Sequence, residues 1–317
     1  MCYEACVRPH FDVGQRSGDA SDSLFSDGEV LRHRRWRWLS LSSEQVPPPF
    51  FTHYGLSRTG IAETPLFLEP YANICHHGAV RLAVLAAAID IVGSLNTREI
   101  AGNLPARTSD LSVRAPSRCV PAMIVARRKS LRAGRRVITT GVELEAGDRS
   151  FAYGETNFTL GVSARVRGDD LVKRGMPEVI DSVPLRRPLH EEVGIEVVDA
   201  AKGYVQVEMR EVLCNPGGGG MQGALVALLC EVSAESLAEA AHGGPQILTE
   251  LDLRYLAATR VGPIVSRACW IGTPGEGMIR VELRDRGTSD RVTATALLRC
   301  RSAPAPVGRE SSDGAML

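Results

Sequence analysis

Lysine is nearly absent from this chain of 317 residues while arginine is abundant, an imbalance typical of a GC-rich genome rather than of one function. Acidic and basic side chains balance at 37 each, so we expect neither nucleic acid nor a membrane surface as a partner. None of the eight cysteines stands in a Cys-x-x-Cys pair. Their scatter fits free thiols in a reducing cytoplasm.

Several other signatures are missing. No apolar run reaches the roughly 18 residues of a membrane span, since Arg81 and Asp90 interrupt the longest one, and no signal peptide precedes the charged N-terminus. The chain contains neither Gly-x-Ser-x-Gly nor His-Glu-x-x-His, so a serine or metal-dependent hydrolase is not suggested. We expect a cytoplasmic protein with no metal and no cofactor.

The most informative stretch is residues 215–231, where a glycine-rich turn opens a helix that is apolar until a single carboxylate, Glu231. A helix that is apolar on all sides belongs in a protein interior, and an unpartnered charge there carries a large desolvation cost. Either Glu231 does catalytic work, or it is a buried ion-pair partner, for example of Arg81, or it faces solvent beside Glu235.

A weaker form of the same pattern appears in the first half, where His77-Gly78 precedes an apolar helix that contains Asp90. The spacing from Gly78 to Gly223 is roughly 145 residues, which predicts an internal repeat of that period. Residues 109–115 also recur as residues 250–255, so the similarity continues beyond the helices.

Each half is predicted to contain two strands, one long apolar helix and about four antiparallel strands. The helices are expected at 78–94 and 221–241, and the strands at 53–57, 60–68, 108–115, 121–131, 136–146, 150–162, 193–198, 204–209, 246–256, 262–272, 277–286 and 290–301. Because a helix apolar on every face needs cover all round, the order predicts an α+β fold in which a sheet wraps around one central helix.

The expected boundaries follow from composition: an N-terminal tail at 1–47, domains at 48–164 and 191–302, a linker at 165–190 and a C-terminal tail at 303–317. The N-terminal tail is read as a disordered extension or a start codon assigned too far upstream. Its cluster of arginine and tryptophan at 32–38 leaves a second possibility, binding to single-stranded nucleic acid or a membrane surface.

The second half resembles the hotdog-fold acyl-CoA thioesterases, in particular the phenylacetic-acid-pathway and 4-hydroxybenzoyl-CoA group. That family's signature is Asn or Gln, then His-Gly-Gly or a variant, and an acid eight residues after the first Gly. Asn215, Gln222-Gly223 and Glu231 follow it, with Gln in place of His. Residues 248–255 resemble the family's Thr-x-x-Leu-x-Val-x-Tyr strand, and the resemblance covers about residues 50–302.

In the first half the match is weaker, because Ala86 stands eight residues after Gly78 and Asp90 comes one helical turn later. The resemblance implies a tandem (double) hotdog that hydrolyses an acyl-CoA, with coenzyme A as part of the substrate, and that assembles into a homo-oligomer.

The resemblance also implies that the acid of one hotdog faces the glycine turn of the other. It pairs Glu231 with His77 and Gly78, and Asp90 with Asn215, Gln222 and Gly223. We favour the first pair, since only Glu231 keeps the family's spacing. The glycine turn at a helix start would supply an oxyanion hole.

A dense positive stretch that includes Arg127, Arg128 and Arg135 either holds the phosphates of coenzyme A or is a solvated turn. Gly218-x-Gly220-x-x-Gly223 also satisfies the dinucleotide-binding fingerprint, but tight turns rather than helices separate the following strands. The main alternative function is a non-catalytic acyl-CoA binder or sensor. A hotdog hydratase is disfavoured because its Asp-x-x-x-x-His arrangement is absent.

Overall fold

The computed structural model describes residues 50–58, 65–102, 104–116, 119–161, 182–215, 220–274 and 277–303. The predicted N-terminal tail lies outside these residues, as do most of the predicted linker and all but the first residue of the predicted C-terminal tail.

The first half contributes eight strands in the described part of the chain. They are β1 (Leu56–Ser57), β2 (Leu66–Leu68), β3 (Cys75–His76), β4 (Ala79–Val80), β5 (Ala106–Arg114), β6 (Ile124–Ala133), β7 (Val137–Ala146) and β8 (Arg149–Leu160). The second half contributes six: β9 (Glu196–Asp199), β10 (Tyr204–Val207), β11 (Gln246–Tyr255), β12 (Ile264–Ile271), β13 (Met278–Asp285) and β14 (Arg291–Ser302).

Twelve of these strands form one antiparallel sheet in the order β1-β2-β6-β7-β8-β5-β11-β14-β13-β12-β10-β9, and β3 and β4 form a separate hairpin. The two halves meet where β5 pairs with β11, with Glu250 opposite Arg114 and Arg254 opposite Asp110. Outward from that central pair, the strands of the two halves follow one another in the same sequence. The strand order of the first half is therefore repeated in the second.

The helices are α1 (Leu82–Ala101), the short α2 (Leu189–Val193) and α3 (Gly223–His242). α1 packs on β5, β6, β7 and β8, α3 packs on β10 to β14, and the two long helices also contact each other. Most of their side chains are buried, as expected for helices that are apolar on every face. No helix in the described ranges combines the length and the apolar character that crossing a bilayer requires.

The strand predictions from residue 108 onwards are confirmed to within a few residues, because apolar and polar residues alternate clearly there. The start of α1 differs from the prediction by four residues. His77 and Gly78 form a two-residue turn between β3 and β4, with φ angles of 46° and 72°, and the helix begins only after that hairpin. The expected strand at 53–57 begins as a short 3-10 helix, Phe50–Tyr54, and α2 has no counterpart in the prediction.

Two glycines allow α1 to approach its sheet closely. A Cβ atom on Gly154 of β8 would overlap the Ile89 side chain and the Ser112 carbonyl, and one on Gly93 of α1 would overlap the Thr156 side chain. The Ile89 side chain therefore packs directly on the backbone of β8 at Gly154, and the Thr156 side chain packs directly on the backbone of α1 at Gly93.

We predict that Gly154→Ala lowers the free energy of unfolding by about 1–3 kcal/mol, because the added methyl group must displace a packed helix. The matched control is Gly244→Ala, where a Cβ atom would meet no atom within 4 Å and the change should stay within about 0.5 kcal/mol. Urea unfolding of both variants measures the difference. Equal stabilities would contradict the close packing.

Candidate functional site

The two long helices correspond residue by residue. Each has 20 residues, and their first residues, Leu82 and Gly223, are 141 positions apart. Asp90 and Glu231 are then both the ninth residue of their helix. The repeat period is therefore 141 rather than the predicted 145, and Asp90 holds the position equivalent to Glu231 instead of lying one turn late.

Glu231 is fully buried, and its carboxylate lies at the N-terminus of α1 in the other half. The backbone amides of Leu82 and Ala83 each donate to one of its oxygens at 2.9 Å. The unpaired amides at a helix start and the helix dipole both favour a negative charge there. We call this arrangement of Glu231 with the Leu82 and Ala83 amides the closed site.

Arg81, the N-cap residue of α1, supplies a positive charge that also offsets the negative charge of Glu231. Its Nη1 lies 3.8 Å from Glu231 Oε1 and donates to Glu235 Oε2 at 2.9 Å, and its side chain is only 2% exposed. Burial opposes the charge on Arg81, but Glu235 and Glu231 outweigh it and raise the pKa of the guanidinium. The pKa of nearby His190 is lowered by burial and by Arg81.

These contacts change the ranking of the two candidate acids. Both oxygens of Glu231 are occupied by backbone amides, and the side chain has no exposed surface for a substrate. The preference for Glu231 as general base therefore loses its basis. Its alternative interpretation, a buried partner of Arg81, matches the contacts that we observe.

Asp90 has the equivalent position but a different environment. Thr108 in β5 donates to Asp90 Oδ1 at 2.7 Å, and Tyr255 in β11 donates to the Gly223 carbonyl at 3.0 Å. A Cβ atom on Gly223 would lie 3.5 Å from Asp90 Oδ2 and 3.0 Å from the Tyr255 hydroxyl. We call Asp90, Thr108, Gly223 and Tyr255 the open site.

All four residues of the open site keep part of their surface accessible, in contrast to Glu231. Asp90 is enclosed on most sides and still partly accessible. In the described part of the chain, no side-chain oxygen accepts from the Gly223 or Ala224 amide in the way that Glu231 accepts from the Leu82 and Ala83 amides. Amides at a helix start are able to donate to a bound acceptor.

The electrostatics of the open site follow from its enclosure. Burial raises the pKa of Asp90 to about 6, against the hydrogen bond from Thr108, which lowers it. Burial and the neighbouring Asp90 raise the pKa of Tyr255 well above its ordinary value, so Tyr255 stays protonated and acts as a donor.

The remaining predicted residues are placed as follows. His77 contacts Glu239, with 2.7 Å between Nε2 and Oε1, and does not contact Glu231. Gln222 is the N-cap residue of α3, and its Nε2 donates to the Cys214 carbonyl at 3.3 Å. Asn215 is exposed, and its backbone amide donates to the Gly220 carbonyl. Gly78 forms the β3–β4 turn. Of the predicted set, the structure brings Asp90 and Gly223 together.

Thr108 and Tyr255 had no predicted role. The sequence carried no signal for Thr108, because the strand match pairs Leu111 with Leu251 at an offset of 140 residues and so aligns Thr108 with Leu248. Tyr255 belongs to the strand that resembles the family motif, but its partner Gly223 is distant in sequence.

The arginines proposed for phosphate binding separate into two groups. Arg127 donates to Glu145 at 2.9 Å and Arg128 pairs with Glu99, so carboxylates of this chain already hold both. Arg135 lines a groove of about 670 Å³. Its other lining residues are Ser109, Asp110, Arg132, Gly134, Arg136, Val137, Thr139, Asn157 and Thr159.

No protein-family model matches the chain, and no curated protein matches its sequence. Solved structures do match. The tesB protein of Mycobacterium avium subsp. paratuberculosis is 13% identical with a TM-score of 0.56, covering 79% of this chain and 97% of its own. A protein of unknown function with a hot dog fold from Alicyclobacillus acidocaldarius is 14% identical with a TM-score of 0.55, covering 83% and 100%.

The chain has a hotdog fold. A third match, an acyl-ACP thioesterase from Bacteroides thetaiotaomicron, agrees with that fold at 10% identity and a TM-score of 0.51, covering 74% of this chain and 96% of its own. At such identities the similarity concerns the hotdog fold alone.

We predict that Glu231→Ala lowers the free energy of unfolding by about 3–5 kcal/mol, because it leaves two helix amides without an acceptor and removes one partner of a buried guanidinium. Glu282→Ala, which breaks a half-exposed pair with Arg284, is the control and should cost less than about 1 kcal/mol. Equilibrium unfolding in urea compares them. A Glu231→Ala protein as stable as the control would show that the closed site is not structural.

Proposed function

We propose that this protein hydrolyses acyl thioesters, that its chain is a tandem of two hotdogs, and that its catalytic site is the open site at Asp90. The observation that carries the proposal is the difference between equivalent positions. Glu231 fills the N-terminus of α1, whereas Gly223 at the N-terminus of α3 and the neighbouring Asp90 both keep part of their surface accessible.

The tandem arrangement is supported by the sheet. The strand order of one half repeats that of the other outward from the β5–β11 pair, and each half has its own long buried helix. A single chain of the tesB protein matches 79% of this chain, and a single chain of the acyl-ACP thioesterase matches 74%, which in each case is more than one half.

In the proposed reaction, the thioester carbonyl oxygen accepts hydrogen bonds from the first amides of α3, at Gly223 and Ala224. Such a donor contributes about 3 kcal/mol to the stability of the transition state. The absence of a side chain on Gly223 leaves room between Asp90 Oδ2 and the Tyr255 hydroxyl. The acyl carbon then lies between the helix start and the carboxylate.

Asp90 acts as the general base. Its Oδ2 takes a proton from water while the water oxygen attacks the acyl carbon, the carbon–sulfur bond breaks, and the thiolate leaves and is protonated. Thr108 holds Oδ1 at 2.7 Å and so directs Oδ2 towards Gly223. A pKa of about 6 suits this role, because the group is mostly ionised at neutral pH yet more basic than an exposed carboxylate.

Coenzyme A is the proposed leaving group. Ser109 and Asp110 directly follow Thr108 in β5, and both line the groove that also carries Arg132, Arg135 and Arg136. Arginine binds phosphate through paired hydrogen bonds, so the groove offers a place for the phosphates close to the catalytic strand. Of the three arginines predicted to bind phosphate, Arg135 is the one we retain.

A second candidate is a non-catalytic acyl-CoA binder. It is favoured by the closed site, which demonstrates that one of the two equivalent helix starts in this chain is blocked by a carboxylate. The two functions differ in turnover, since a binder retains a ligand without releasing its thiol.

We predict that the purified protein releases free coenzyme A from an acyl-CoA panel, detected with a thiol reagent, and that Asp90→Asn lowers kcat/KM by at least about 100-fold through loss of the general base. Glu231→Gln, the matched change at the equivalent position, should keep kcat/KM within about tenfold of the original. Acyl-CoA binding without thiol release would support the binder. A larger loss from Glu231→Gln than from Asp90→Asn would place the site at Glu231.

The raised pKa of Asp90 also predicts a pH dependence of stability. Because the folded state binds the proton more tightly, Asp90 favours folding below its ordinary pKa of 3.8 and loses that contribution as pH rises through about 6. A shift of that size corresponds to roughly 3 kcal/mol. Asp90→Asn should therefore be more stable than the original above pH 7, by up to that amount, and similar near pH 4. Urea unfolding at both pH values measures this, and a pH-independent difference would contradict it.

A further inference from the structure

Three side chains outside the open site converge near the start of α1. They are His76 and His77 of the β3–β4 hairpin and Glu239 of α3, and their ligand atoms all lie within 4.8 Å of one another. Glu239 Oε1 is 2.7 Å from His77 Nε2 and 3.7 Å from His76 Nε2. The cluster joins an element of the first half to an element of the second.

The hairpin presents both imidazoles on one side. Consecutive residues of a strand point in opposite directions, but His77 has a φ of 46° and forms the turn with Gly78. As a result its ring lies 3.8 Å from that of His76, centroid to centroid. A positive φ is uncommon for a residue with a side chain, so the backbone adopts a rare conformation that brings the two rings together.

The surrounding charges favour a cation. Glu235 lies 3.6 Å from His76 Nε2, and Glu231 is buried next to it along α3. Arg81 is the only guanidinium that these described contacts join to the cluster, and it is already paired with Glu235 and Glu231. Three carboxylates thus face one cationic side chain. His190 is the third imidazole, 6.4 Å from His76 between ring centroids.

The accessibility of the three side chains also suits a bound ion. His76 and Glu239 are half-buried, and His77 is exposed, so an ion can reach the cluster from solvent.

We propose that His76, His77 and Glu239 form a binding site for a zinc-like divalent transition-metal ion. Two imidazoles and a carboxylate are a ligand set that zinc accepts with a fourth position left to water, whereas magnesium and calcium prefer oxygen ligands alone. On binding, the His77–Glu239 hydrogen bond is replaced by bonds from both groups to the ion, and His77 binds as a neutral imidazole through Nε2 with its proton on Nδ1.

The site differs in place and consequence from the open site. The proposed metal site contains no residue of the open site, and it links the β3–β4 hairpin to α3 beside the closed site. A bound ion there connects the two halves and stabilises the folded state by mass action.

The test uses the full chain without an affinity tag, freed of metal with a chelator and titrated with Zn²⁺ or Co²⁺. We expect one ion per chain, a Co²⁺ visible spectrum of low coordination number, and a rise in Tm with Zn²⁺ but not with Mg²⁺. His77→Asn removes the ligand and keeps a residue that tolerates the turn, and Glu239→Gln removes the carboxylate. Each should weaken Zn²⁺ binding by at least about tenfold.

His242→Asn, which changes an exposed histidine in the last turn of the same helix, is the matched control and should leave binding unchanged. Alkylation of the accessible cysteines should also leave it unchanged, since Cys119 and Cys269 are exposed. Zn²⁺ affinity that survives both His77→Asn and Glu239→Gln would overturn the proposal, as would loss of binding on alkylation or the absence of any Tm shift in the original protein.

Discussion

The architecture depends on one buried ionic contact, in which a carboxylate from the helix of one half fills the N-terminus of the helix of the other. Without a partner, Glu231 would be a charge isolated among apolar side chains, an arrangement that folding does not tolerate. The amides of Leu82 and Ala83 and the guanidinium of Arg81 supply the compensation. The two halves therefore rely on each other at the centre as well as along the β5–β11 pair.

Asp90 occupies the same position in the first half but is partly accessible, whereas Glu231 is fully buried. Two differences in side chain account for this contrast. Asp90 is one methylene shorter than Glu231 and engages Thr108 on its own sheet. Gly223 replaces Leu82 as the first residue of the helix, so the space beside the carboxylate is not filled by a side chain. Asp90 and Gly223 both keep part of their surface accessible, whereas Glu231 has none. The asymmetry arises from these residues, because the strand order is shared by both halves.

Sequence periodicity predicted most of the helices and strands, but it did not predict which side chains come together at the candidate site. Apolar alternation located the strands after residue 108, and the all-apolar helices required a wrapped sheet. The repeat was anchored on the wrong glycine, because Gly78 and Gly223 look alike in sequence although one closes a hairpin and the other begins a helix. This choice displaced Asp90 by one turn relative to Glu231, whereas the two helices align them at the same position. Spacing along a helix also carries no information on whether the facing amides are already occupied. The predicted tails, most of the linker and the assembly state stay predictions.

The energetic contrast between the two acids supports their different roles. In the closed site, every contact of Glu231 that we describe favours its ionised form, which is what a structural charge requires. In the open site, burial penalises ionised Asp90 and raises its pKa to about 6, so the folded protein carries a strained charge at neutral pH. Selection for stability alone would replace it with a neutral residue. A carboxylate that burial destabilises beside Gly223, in contrast to the stabilised carboxylate of Glu231, therefore supports the general-base role that we propose for Asp90.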